Sequence, residues 1–178
     1  MRRACLQLVA LIDATNRRAG HALRWLVLVI PLITVVYGVV RRLTPWGHNG
    51  VSELQWFLFA WVFLVGTGYT LLRDEHVRVD LLHNALPMRW RHRIDLVLHA
   101  VLVLPSCAYL AWHSWFFWTH SLVTPDGPED VLTGLQRWPL KLALFAGFVL
   151  LGLQSLAEIL RRMAWLRGWT PCAPEDAA

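Results

Sequence analysis

Four apolar stretches, Ala22–Val40, Leu54–Leu72, Ile94–Trp118 and Trp138–Leu160, constrain this chain more than any other feature of its sequence. Each is close to the roughly 17–25 residues a helix needs to cross a hydrocarbon core of about 30 Å. The second is the clearest, since its nineteen residues carry no charge and Gln55, near its start, is the only strong polar group. Hydrophobic residues make up 56% of the chain and charged residues 16%, whereas soluble domains run at about a quarter charged. The expected fold is all-α, an integral membrane four-helix protein. With four spans and short connections in 178 residues, a second globular domain of about 100 residues does not fit. Residues 1–178 therefore read as a single membrane domain.

Basic residues set the expected orientation, because Lys and Arg are retained on the cytoplasmic side during insertion. Thirteen lie in the N-terminal segment, the middle loop over 73–93 and the tail, against four (Arg41, Arg42, Arg137 and Lys141) in the other two connections. Both termini are expected in the cytoplasm. Anionic headgroups beside those segments account for the net charge of +5, and no nucleic-acid partner is called for. The first span reads as a retained helix, since Val36-Tyr37-Gly38 is a poor cleavage site and Arg41-Arg42 follows directly.

Around the spans, Leu8, Leu11, Ile12 and Thr15 recur at helical spacing among charges, which predicts a short interfacial helix over 5–17. In the middle loop, Leu81/Ala85 and Leu82/Leu86 predict one amphipathic turn capped by Asp80, and Pro87 suits the first turn of the helix that follows. The connection Pro125-Asp126-Gly127-Pro128-Glu129-Asp130 is short, acidic and turn-rich. Most of the eleven Trp fall near span ends, where an indole ring anchors at the lipid interface. Cys5, Cys107 and Cys172 form no obvious pair, so neither a disulfide nor a metal site is indicated.

The most suggestive chemistry lies on the third span. At a uniform helical period Asp95, His99, Ser106, His113 and His120 fall near one face. His99 and His113 are about 21 Å apart along the axis, a spacing like that of paired haem ligands. The competing reading is thus a haem-b membrane anchor of a respiratory complex, but the other spans offer no internal His to complete the ligation. No cofactor is expected. A self-sufficient carrier would place ionisable groups mid-membrane on several helices, whereas Glu53, Asp95, Lys141 and Glu158 sit near span ends. No nucleophile motif or phosphate-binding loop appears, so no catalytic residue is assigned. Glu158 and Arg162 stand four apart as a helix-end pair, and Ala143 with Gly147 forms a small-residue face on span four.

Several stretches resemble one family. They are Glu53-x-Gln55-Trp56, Gly68-Tyr69-x-Leu71-Leu72, Glu75-His76-Val77-Arg78-Val79-Asp80-Leu81-Leu82 and Ile94-Asp95-Leu96, then Arg137-Trp138-Pro139-x-Lys141 and Gly147-Phe148-x-Leu150-Leu151-x-Leu153-Gln154-x-x-x-Glu158. Together they cover roughly residues 20–162 in family order, and they are similar to the DctQ-type small permease subunit of tripartite ATP-independent periplasmic (TRAP) transporters. The segment 124–130 departs from the family's usual pattern. The resemblance implies an accessory subunit in a bacterial inner membrane, partnered by a large multi-span permease and a periplasmic solute-binding protein. The assembly would import an organic acid by ion-gradient-driven symport, with the large subunit carrying the substrate. It further implies interface or structural roles for Glu75, His76, Arg78 and Asp80 at the inner face, and for Arg137, Trp138 and Lys141 at the outer end of span four.

Overall fold

The computed structural model describes residues 2–43, 49–73, 87–123 and 136–168. They form α1 (Arg2–Leu43), α2 (Asn49–Leu72), α3 (Met88–Leu98) running through a π-helical turn (His99–Val103) into α4 (Leu104–Val123), and α5 (Trp138–Leu166). Among the described residues four helical stretches are long and apolar enough to cross a membrane: Cys5–Leu43, Gly50–Leu72, Trp90–Val123 and Trp138–Leu166. Strands are absent among the described residues.

The stretches alternate in direction. Gly20 meets Tyr69 and Leu23 meets Gly66, so α1 and α2 are antiparallel, while Gly68 beside Leu150 and Gly147 beside Leu64 make α2 and α5 parallel. Asp95 pairs with Arg162 and Lys141 lies over Phe117, which runs α3–α4 antiparallel to α5. α5 packs on every other helix, with α2 and α4 as its principal neighbours and α1 packed chiefly on α2. α1, α2 and α5 therefore pack on one another, and α4 is attached through α5. Small residues set the α2–α5 distance: a Cβ added to Gly147 would lie 2.6 Å from the Leu64 carbonyl oxygen, so the two backbones approach to a separation only glycine permits. Ala143, one turn earlier, is fully buried.

α1 differs from its sequence expectation. Residues 5–17 and 22–40 lie on one unbroken helix of 42 residues, about 63 Å long at 1.5 Å per residue. Asp13, one of the charges among which that pattern runs, and Asn16 face α5, where Val9 and Ile12 also pack against Ala157. Nothing between residues 17 and 22 breaks the hydrogen-bond ladder, and Pro31 further on does not end it.

The third membrane helix corrects a second expectation. Asp95 and His99 are buried, but Ser106, His113 and His120 are exposed. Buried in their place are Cys107, Ser114 and Ser121, each one residue further along. The π-helical turn is the cause: Leu104 N–H bonds to the His99 carbonyl, five residues back, so one extra residue is spent in that turn and the inward face advances by one position. His99 Nδ1 lies 3.1 Å from Ser155 Oγ on α5, whereas His113 Nδ1 lies 3.0 Å from the Tyr109 carbonyl of its own helix. The shared histidine face behind the haem reading is not formed.

Candidate functional site

Where α5 continues beyond the end of α2, it is flanked by the N-terminal half of α1 and by α3, and charged side chains fill the three-helix junction. Arg162 is 1% exposed. Its Nη1 donates to Asp95 Oδ2 at 2.6 Å, and its Nη2 lies 3.8 Å from Glu158 Oε2. Arg161 bonds to Glu158 one turn back and to Asp13 of α1. The order Asp13–Arg161–Glu158–Arg162–Asp95 thus alternates in sign across α1, α5 and α3. Isolated charges in such a setting cost several kcal/mol each, so the chain of pairs is what makes their burial tolerable. Geometrically it fixes which faces of the three helices meet.

Neutral groups extend this junction. Asn16 Nδ2 donates to Gln154 Oε1 at 2.9 Å, and Gln154 Nε2 donates to Asp13 Oδ1 at 3.1 Å. Both Asn16 and Gln154 are fully buried. Asn16 fits because Gly68 of α2 has no side chain: a Cβ there would lie 2.3 Å from Asn16 Oδ1. On the α3 side, His92 Nδ1 stands 3.3 Å from Arg162 Nη1. A guanidinium has only donors, so Nδ1 accepts and the ring proton of a neutral His92 resides on Nε2. The His92 ring packs on Trp165, with centroids 4.3 Å apart.

The opposite ends of the helices hold a looser set. Gln55 Nε2 donates to Thr34 Oγ1 at 3.0 Å, tying α2 to α1. Lys141 is buried with its Nζ 4.0 Å from the Phe117 ring centroid, beside a cluster of Trp115, Trp118 and Phe145. Trp138 Nε1 donates to Gln136 Oε1, Arg137 is the residue preceding α5, and Glu53 is half-buried. Trp56 is 72% exposed and projects outward, as do Trp25, Trp90 and Trp112.

Of the residues singled out in the sequence, the structure brings Asp95, Gln154 and Glu158 into one junction and leaves Glu53, Gln55, Trp56, Arg137, Trp138 and Lys141 at the far end. Glu75, His76, Arg78 and Asp80 lie outside the described residues. The Glu158–Arg162 pair exists, but the shorter bond of Arg162 goes to Asp95. Sequence reasoning missed Asp13, Asn16, His92 and Arg161. The available signal was the 9/12/13/16/20/23 spacing on α1, an inward stripe that ends in Gly20 and Leu23. No group of three or more His, Cys, Asp or Glu side chains is arranged to hold a metal among the described residues.

Fold and junction together define a multi-span helical membrane protein whose buried charges join helices to one another. The sequence profile of the DctQ component of tripartite ATP-independent periplasmic transporters matches residues 30–164. The chain belongs to that family, and it is a transporter component rather than an enzyme. Over 68 residues it is 38% identical to the C4-dicarboxylate TRAP transporter small permease protein DctQ of Vibrio cholerae serotype O1. That stretch covers 38% of this chain and 28% of the length of that relative. No solved structure matches the chain.

Proposed function

We propose that this chain is the small scaffold subunit of a TRAP secondary transporter, a single membrane domain seated in a bacterial inner membrane with both termini cytoplasmic. A large multi-span permease carries the substrate, an organic acid delivered by a periplasmic binding protein and driven by an ion gradient. The observation that supports this reading best is where the buried charges go. Arg161 pairs with Asp13 and Arg162 with Asp95 across helices at one end, and Glu158 links the two arginines within α5. At mid-span, α2 and α5 meet through Gly147 and the Leu64 backbone, which leaves no room between them for a solute. A protein built this way braces a partner rather than opening a path of its own.

The partner has apolar surface to use. None of the most apolar window of α1 is buried within the chain, and Val101, Leu102, Trp112 and Phe116 are exposed on the far flank. In the proposed assembly these faces widen a stationary frame against which the mobile part of the permease moves. Glu75, His76, Arg78 and Asp80 fix the inner-face loop, while Arg137, Trp138 and Lys141 anchor the outer end of α5.

Affinity capture of the chain from its native membranes in mild detergent tests the reading. A stoichiometric large permease is expected in the eluate, and liposomes holding this chain alone should show no solute flux. Recovery of redox subunits, or flux by the isolated chain, refutes the scaffold role. Substitution of Arg78 and Asp80 is expected to lower complex yield or uptake.

A further inference from the structure

α4 turns an aromatic and polar seam away from the rest of the chain. Tyr109, Trp112, His113 and Phe116 recur at i, i+3, i+4 and i+7 and are all exposed, while the side packed on α5 carries Cys107 and Ser114. The depth of this seam follows from the packing. Cys107 lies beside Gly152 and Lys141 lies over the Phe117 ring, so His113 is level with the α5 residues around Gly147. Gly147 in turn abuts Leu64, next to the centre of the charge-free run Leu54–Leu72. The His113 imidazole therefore stands near the middle of the bilayer, on the outside of this chain. Ionisable side chains at that depth face protein or a water-filled cavity rather than acyl chains. The seam is also preformed: the Tyr109 and His113 rings lie 4.2 Å apart between centroids, and Trp112 meets Phe116 edge-on at 5.2 Å. His113 Nδ1 lies 3.0 Å from the Tyr109 carbonyl. A carbonyl only accepts, so Nδ1 carries the proton, and Nε2 of the neutral ring is left as an acceptor. Among the described residues nothing bonds to that nitrogen or to the Tyr109 hydroxyl.

We infer that this seam seats a transmembrane helix of the large permease, and that the helix places a hydroxyl or amide donor against His113 Nε2 near mid-bilayer. The seat rests on the scaffold role proposed above and gives that role a face and a chemistry. Hydrogen-bond complementarity selects the occupant. Acyl tails carry no donor, and water is absent at this depth. A second copy of this chain does not supply the donor either. Two copies inserted in the same sense bring His113 to His113 across the twofold, acceptor against acceptor, with each Tyr109 hydroxyl on a residue about 6 Å away along the axis. The outward side of α1 makes no comparable demand. There the Thr34 hydroxyl already donates to the Ile30 carbonyl and accepts from Gln55, so acyl chains can cover it.

The test uses the full chain in its native membranes and in the complex purified from them. With Phe116 replaced by a benzophenone amino acid, illumination of the membranes should join this chain to the permease. Association is then read by fluorescence energy transfer between labelled subunits as the complex is diluted into detergent micelles. His113→Phe keeps the ring packing but removes the acceptor, and should weaken association about three- to twentyfold, the range of one interhelical hydrogen bond. His113→Gln restores an acceptor and should recover most of that loss. Tyr109→Phe, which removes one hydroxyl, should also weaken the complex. The isolated His113→Phe chain should melt with its parent, because the side chain is exposed. Failure of the parent chain to hold any permease would remove the scaffold role and this seat together. A permease held equally well by the parent, His113→Phe and Tyr109→Phe would overturn the seat alone, as would adducts to lipid or to a second copy. A loss of affinity matched by a lower melting midpoint of the isolated variant would place His113 in this chain's own fold and likewise overturn it.

Discussion

Removing the Arg162 guanidinium should be among the most damaging single changes in this protein. Arg162→Met keeps most of the side-chain volume but leaves Asp95, 7% exposed, without its 2.6 Å partner and weakens the surroundings of Glu158, 5% exposed. Breaking a buried pair from one side costs about 3–5 kcal/mol, because a desolvated charge is stranded. At roughly 2–4 °C per kcal/mol for a chain of this size, the melting midpoint should fall by about 6–20 °C. Asp95→Leu alone should cost a comparable amount, since the nearest carboxylate left to Arg162 would be the more distant one of Glu158, with His92 Nδ1 a neutral acceptor. The double variant removes both charges and should recover most of the loss, as replacement of whole buried pairs by apolar side chains is close to neutral. Intrinsic Trp fluorescence in detergent follows the transition, aided by Trp165, whose ring lies against His92 within the junction. A single variant that melts within a degree or two of the parent, or a double variant whose loss equals the sum of the two singles, would falsify the reasoning.

Three further outcomes follow from the packing. Gly147→Ala should destabilise by about 1–3 kcal/mol, since its Cβ meets the Leu64 backbone at 2.6 Å. Gly38→Ala meets nothing within 4 Å and should stabilise α1 by about 0.5–1 kcal/mol through helix propensity; thermal scans of the pair should move in opposite directions. The π-turn is checked by comparing neighbours: Ser114→Leu overpacks the α4–α5 face at about 1–3 kcal/mol. His113→Leu, on the outside, should stay within about 0.5 kcal/mol. The reverse order would mean that the uniform helical period holds after all. Purified protein should also lack a Soret band, and its presence would restore the paired-histidine reading.

The parts of this structure legible in the sequence are those governed by length and hydropathy. The apolar runs of α2 and α5 declare themselves because lipid permits few alternatives to a helix. The junction was less legible, because it depends on which faces meet. Asp95 and Glu158 were visible as charges near span ends, but Asp13 gave no sign that it reaches Arg161 across 148 positions. The π-turn defeats periodicity more directly. One extra residue among His99–Val103 exchanges Ser106, His113 and His120 for Cys107, Ser114 and Ser121, and no residue type in that run marks where the register slips.

The placement of α1 shows why the polar junction matters more than the apolar surface. Apolar side chains gain little from helix–helix contact in lipid, since hydrocarbon tails are as good a solvent as leucine. Accordingly the most apolar window of α1 is unburied, with Leu28, Leu32, Val35 and Val39 all facing outward. The position of α1 is set by features that lipid cannot supply. These are the Asn16–Gln154 and Asp13–Arg161 bonds to α5, the Gln55–Thr34 bond to α2, and the close approaches at Gly20 and Gly68. Specific bonds therefore hold α1 both in its terminal half and at Thr34, while the outward face of its span stays open to another surface. A helix held in this way suits the proposed scaffold role, because a partner can pack on the outward face without first displacing any internal contact.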